Sequence, residues 1–135
     1  MMISTRGRYA LRVLIDLAEN QGEGYIPMKE VARRQGISLK YLESILPALA
    51  KERYIEGIHG KGGGYRLIRP PGDCRIGDIL RLTEGGLAPV ACLQCGAAPC
   101  ERKKSCRTLP MWKQFHALTG RFFDGITLAD LIKEE

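Results

Sequence analysis

Apolar residues recur at helical spacing along most of the chain. Over Ser4–Asn20, Ala10, Leu11, Leu14, Leu17 and Ala18 share one face, while Arg6, Arg8 and Arg12 crowd the start of the other. That pattern predicts an amphipathic helix capped by Ser4 or Thr5. Gln21–Tyr25, with Gly22 and Gly24, reads as a turn. Pro27 sits at a natural first helical position, and Met28–Gln35 follows as a short helix ended by Gly36. Ser38 then caps a helix from about Leu39 to Arg53, whose apolar face is Leu42, Ile45, Leu46 and Leu49. Pro47 within it is a cost and predicts a bend. The period changes after Arg53. Tyr54–Ile58 and Tyr65–Ile68 read as the strands of a hairpin around the glycine-rich segment 59–64. Pro70-Pro71-Gly72 breaks the chain, and Arg75–Thr83 is a short helix with Ile76, Ile79 and Leu80 inward.

Segment 85–107 follows neither a helical nor a strand period. It holds glycines, two prolines and four cysteines, and reads as a loop built for something other than packing. Thr108 caps a long helix, Leu109–Asp124, in which Trp112, Phe115, Leu118 or Thr119, and Phe122 recur every three to four residues. Thr127–Lys133 is a last short helix. The expected fold is mainly α with one small β-hairpin: a winged helix-turn-helix over residues 1–84, a cysteine-rich loop over 85–107, and a dimerisation helix with its tail over 108–135.

The order helix, glycine turn, capped helix at residues 28–47 is that of a DNA-binding helix-turn-helix. Ala32 is small where the two helices must approach, and Gly36 supplies a permissive backbone at the turn. The helix starting at Ser38 would enter a major groove by its N-terminal end. Off its apolar face, Ser38 and Lys40 suit phosphates or base edges. Tyr41 can donate to a phosphate or pack on a thymine methyl, and Glu43 can accept from cytosine N4. Arg33 and Arg34 on the supporting helix suit phosphates. The hairpin makes a wing. Gly60, Gly62, Gly63 and Gly64 strip bulk from its tip, and His59 and Lys61 supply charge and donors for a minor groove. The glycine run does not resemble a nucleotide-binding loop, because no Ser/Thr follows the lysine and no helix follows the glycines.

Charge agrees with a polyanionic partner. The 135-residue chain has a formal net charge of +6, and residues 1–70 carry 12 Lys/Arg against 7 Asp/Glu, while residues 71–135 carry 9 against 8. The basic excess therefore sits with the helix-turn-helix and wing. No apolar run approaches a membrane span and the N-terminus does not read as a signal peptide, so a cytoplasmic protein is expected, with double-stranded DNA as partner, no membrane, no small-molecule substrate and no enzymatic activity.

The cysteines carry the remaining chemistry. Cys92-x2-Cys95-x4-Cys100-x5-Cys106 packs four thiols into fifteen residues, and a reducing compartment favours metal or redox chemistry over disulfides. Thiolates are soft ligands for zinc and iron–sulfur clusters. Structural zinc sites usually show two close pairs, whereas only Cys92 and Cys95 are close here. Wide, uneven gaps are easier to fit around a larger cluster. Zinc is the alternative, as is reactive thiol chemistry between Cys92 and Cys95. A thiol oxidoreductase lacks the strand–helix alternation such motifs sit in, and has no evident base. Cys74, at a helix start, reads as a buried or capping residue.

The run ISLKYLESILPALAKERYIEGIHGKGGGYRL, followed by the cysteine loop and Trp112, resembles the Rrf-type winged-helix regulators over essentially the whole chain. The resemblance implies a homodimeric transcription factor paired through its long C-terminal helix, and the near coiled-coil spacing of that helix's seam places Trp112, Phe115 and Phe122 at the two-fold interface. It implies an iron–sulfur cluster on Cys92, Cys100 and Cys106, 2Fe–2S ahead of 4Fe–4S, which would control DNA affinity in response to redox, nitric oxide or iron–sulfur status. The fourth ligand varies in that family. Leu109 stands where one branch has histidine, and Arg8 where another has an acidic residue, so Cys95 or a small exogenous ligand is expected to complete the site. Cluster-free members sense through thiols or a partner protein, and that reading stays open beside a zinc-stabilised module.

Overall fold

The computed structural model describes residues 2–20, 22 and 24–132; Gln21, Glu23 and Lys133, named in the predicted first turn and last helix, lie outside them. Six α-helices and one hairpin follow in order: α1 (Thr5–Asn20), α2 (Met28–Gln35), α3 (Leu39–Lys51), β1 (Ile55–Ile58), β2 (Gly64–Leu67), α4 (Ile76–Glu84), α5 (Leu109–Asp124) and α6 (Leu128–Leu131). Among the described residues no helix is long and apolar enough to cross a membrane.

The central element is α1. Ser4 starts it, its hydroxyl accepting from the Gly7 N–H at 3.1 Å. Ala10, Val13, Leu14 and Leu17 are fully buried against Leu42, Ile45 and Leu49 of α3 and Ile79 of α4 in one continuous core. The apolar face is therefore rotated slightly from the expected one: Val13 is buried, and Leu11 and Ala18 are only half-buried at its margin.

Local chemistry sets the ends of the reading elements. Pro27 is the N-cap of α2 rather than its first residue, in extended backbone at φ −61° and ψ 137°. Gly36 ends α2 in the left-handed region at φ 65°, where an L side chain would be strained. Ser38 caps α3, its hydroxyl accepting from the Tyr41 N–H at 3.1 Å. Pro47 is exposed and α3 runs through it. Its missing N–H leaves only the Glu43 carbonyl without a helical donor. The helix stops at Lys51, two residues short of the predicted end, because Arg53 takes φ 62°. The Arg53 N–H then bonds the Ala50 carbonyl and the Tyr54 N–H that of Leu49, which is a Schellman termination.

β1 and β2 pair antiparallel with Ile55 opposite Leu67 and Ile58 opposite Gly64. The hairpin does not stand alone. Ile26 exchanges both backbone hydrogen bonds with Tyr65, at 2.8 and 2.9 Å. Gly64 makes that approach possible, since a Cβ there would overlap the Ile26 carbonyl. Across the strands Arg66 pairs with Glu56 at 2.5 Å, and the Tyr25 hydroxyl donates to the same carboxylate at 3.1 Å. Both contacts, Arg66 first, hold the Glu56 carboxyl below its usual range.

The C-terminal segment packs back on the N-terminal one. Arg81 of α4 grips Asp124 at the end of α5 through both terminal guanidinium nitrogens, at 2.8 and 2.9 Å. The Leu128 N–H donates to the Cys74 carbonyl, and Leu128 is fully buried. Cys74 is buried as expected, and desolvation pushes its thiol up. Thr127 and Asp130 form a capping box at the start of α6.

Candidate nucleic-acid interface and cysteine site

The surface expected to meet DNA is built from α2, α3 and the wing. Ser38, Lys40 and Glu43 project from the first turns of α3 and are exposed, as are Arg33 on α2 and His59, Gly60 and Lys61 at the wing tip. Gly60 and Gly62 take φ 92° and 78°, and the Gly63 N–H closes the tip on the Gly60 carbonyl at 2.9 Å. Between α3 and the wing lies a cleft of about 380 Å³, lined by Glu43 and Leu39 on one side and His59 and Tyr65 on the other. α3 and the wing thus face a common space. Lys29, which the sequence pattern did not single out, lines the same cleft.

Two residues expected at this surface are otherwise engaged. The Arg34 guanidinium is bound to Asp16 of α1, at 2.7 Å through Nη2 and 3.1 Å through Nε. Tyr41 is half-buried, its ring edge-on to Tyr9 with centroids 5.4 Å apart. Asp16 itself was not legible. It is a polar position on an amphipathic helix, and only the docking of α2 buries it.

The cysteine segment is irregular apart from a short 3-10 turn at Ala91–Leu93. Cys92, Cys95 and Cys100 are exposed and Cys106 is partly covered. Cys92, Cys100 and Cys106 line one cavity of about 220 Å³, together with Lys103, Leu109 and Lys113; Cys95 does not line it. Among the described residues, no three His, Cys, Asp or Glu side chains converge closely enough to hold a single metal ion.

Cys106 sits at the head of α5. Thr108 occupies the N-cap position, yet its side chain makes no capping bond. Instead its hydroxyl lies 3.5 Å from the Cys106 sulfur. That contact, with the backbone N–H groups of Thr108 and Leu109 and the nearby Arg102 charge, lowers the Cys106 thiol pKa. The sulfur takes up donors a capping oxygen would otherwise satisfy, so the helix start favours thiolate.

None of the α5 side chains is fully buried. Met111, Phe115, Leu118 and Phe122 form one exposed row, at 52, 42, 59 and 62 % exposure. Trp112 lies beside that row, half-buried, on the face that also carries His116, Gly120 and Phe123. The three aromatic residues expected on one seam therefore divide between two adjacent faces.

Known proteins are similar to this chain in sequence and fold. The sequence profile of the Rrf2 family, described as an iron-dependent transcriptional regulator, matches residues 3–134. The HTH-type transcriptional regulator IscR of Sodalis glossinidius is 32 % identical over 135 residues, covering 100 % of this chain and 81 % of its own. Among solved structures, CymR, the global cysteine regulator of B. subtilis, superposes with a TM-score of 0.77 at 34 % identity, covering 97 % of this chain and 95 % of its own. IscR of T. potens does so with a TM-score of 0.75 at 32 % identity, covering 97 % and 85 %. With a winged helix-turn-helix in place and the match running almost end to end, the chain belongs to the Rrf2 family of DNA-binding transcriptional regulators.

Proposed function

We propose that the chain works as a homodimer whose grip on a specific DNA sequence is set by an iron–sulfur cluster on Cys92, Cys100 and Cys106. The observation that carries this reading is the shared cavity of those three thiols at the head of α5. The donor set fits the group: the sulfurs are soft ligands, they surround a common space, and Cys106 is already biased toward thiolate by its helix start. Cys95 stays outside this set. A fourth ligand then comes from a small exogenous molecule rather than from the extra thiol. The family resemblance supports the same trio.

When bound, the cluster supplies a centre that reacts with oxidants and nitric oxide. The protein does the rest. The loop that carries the thiols leads directly into α5, and the exposed row on α5 has the spacing of a helix pair. Ordering the loop fixes the first turn of α5, and through the paired helices the separation of two reading heads. In each head Glu43 reads a base edge, while Arg33, Ser38, Lys40 and Lys61 hold phosphates. DNA affinity then follows the population of the ordered loop.

Anaerobic purification with iron, sulfide and zinc analysis tests the proposal. A coloured protein with iron and sulfide is expected, in the ratio of a 2Fe–2S centre. Iron should be lost on Cys92→Ser, Cys100→Ser or Cys106→Ser and retained on Cys95→Ser. Colourless protein with stoichiometric zinc, or equal operator affinity with and without the cluster, would overturn it. A second reading has its own support. The solved CymR regulators and the lowered Cys106 thiol favour direct thiol sensing. That reading is recognised by DNA binding that responds to thiol oxidation in iron-free protein.

A further inference from the structure

We infer that Asp16 is a positioning residue for base recognition, acting through Arg34 and Gln35 to set how the reading helix is presented. The inference rests on α3 being the helix that reads DNA.

Asp16 is 1 % exposed and is the buried charged side chain of the core among the described residues. A carboxylate removed from water is strongly unfavourable unless it is paired. Among the described residues, the side-chain donors to this one come from the last turn of α2. Arg34 forks onto it through Nη2 and Nε at 2.7 and 3.1 Å, and Gln35 donates Nε2 at 2.8 Å. One turn earlier on α1, Arg12 donates Nε to the Gln35 side-chain oxygen at 3.1 Å and Nη2 to the Gln35 carbonyl. Gln35 is thus held at its amide and at its backbone. The next residue is Gly36, the left-handed pivot between α2 and α3.

The contact continues toward α3. The Arg12 guanidinium lies 5.2 Å from the Tyr9 ring centroid, and Tyr9 meets Tyr41 of α3 edge-on. Tyr9, Arg12 and Asp16 fall on successive turns of α1; Tyr9 touches α3, and Arg12 and Asp16 hold the last turn of α2 next to the pivot. Directional, charge-assisted bonds fix a register that apolar packing alone leaves freer to slide. Arg34, which composition and position cast as a phosphate contact, is in this geometry part of the clamp.

Base-edge hydrogen bonds tolerate small displacements poorly, whereas phosphate attraction is forgiving. Loosening the clamp therefore should lower discrimination between sequences more than affinity for DNA in general. The test uses the full chain, a duplex recovered by in vitro selection with the wild-type protein, and a scrambled duplex of equal length. Asp16→Asn removes the charge and Arg34→Lys removes the fork while keeping the charge. Each is expected to lower the selected-to-scrambled affinity ratio about tenfold with the salt slope unchanged. A phosphate contact at position 34 would instead leave the ratio intact in Arg34→Lys. Should Asp16→Asn not fold, Arg12→Gln on the exposed flank carries the same expectation at about threefold. Ratios held within about twofold, alongside a preference lowered by Glu43→Ala, would overturn the role of Asp16 alone. A preference untouched by Glu43→Ala as well would overturn the reading helix on which it rests.

Discussion

Single residues fix the geometry of this regulator at a few places. Gly64 is one, because β2 comes so close to Ile26 that a Cβ would strike its carbonyl. Gly64→Ala should detach the wing from the segment before α2, lowering stability by about 1–3 kcal/mol and weakening DNA binding; chemical denaturation and a titration with duplex check both. Asp124 is another. The Arg81 fork, its largest influence, holds the carboxyl below the ordinary value of 3.8. A group depressed by folding adds stability above its unfolded pKa, and that stability drains away as pH falls through the folded value. The α4–α5 clamp should therefore contribute fully at neutral pH and be lost progressively below about pH 3.8. Asp124→Asn should melt lower at pH 7, by roughly 1 kcal/mol for a partly exposed pair, and the difference should vanish in acid. A difference that persists at pH 2 would assign the effect to packing.

Helices and strands carry the next set of consequences. The exposed row on α5 is too apolar to face water along the whole length of a helix. Phe122→Glu is expected to leave helicity unchanged and shift the sedimenting species from dimer to monomer. Trp112 sits off that row, so Trp112→Ala should affect the fit of α5 on its own chain more than the association. The reading elements separate in the same way. Lys61 at the wing tip should contribute affinity of about 1 kcal/mol whatever the sequence, whereas Glu43→Ala should relax the preference for one base pair. A series of single-base variants of the selected duplex distinguishes the two: a uniform drop for Lys61→Ala, a local one for Glu43→Ala.

Taken together, the elements make α1 the spine. Its apolar side holds α3 and α4, and its polar side holds the pivot between α2 and α3. The basic excess lies on the side of the reading head, so affinity should fall steeply with salt, each phosphate contact adding about 0.9 to the logarithmic slope. A shallow slope would show that few of these cations meet phosphates. The cysteine loop lies at the opposite end of the chain's order, between α4 and α5, and any change there reaches the reading head through α5 and the helices packed against it.

Much of this could be read along the chain. Helical period, Ser38 as cap, Gly36 as pivot and the glycine-rich tip are local properties, since each depends on backbone preferences within a few residues. They located α1 to α5 and the wing to within two residues. The exposure of Ser38, Lys40 and Glu43 followed from the apolar face opposite them, and that of Lys61 from its place in the glycine-rich tip. Contacts between distant segments were not readable, because nothing in local spacing encodes them. Packing of α2 on α1 buried Asp16 and engaged the Arg34 guanidinium in an ion pair while leaving that residue exposed. Packing of α5 beside α4 split Trp112 from Phe115 and Phe122. Convergence of an irregular loop on the head of α5 brought Cys92, Cys100 and Cys106 around one cavity and left Cys95 aside, a division that the family resemblance implied but that local spacing alone did not make. Spacing names the groups that are available; only the docking of remote elements decides which of them meet.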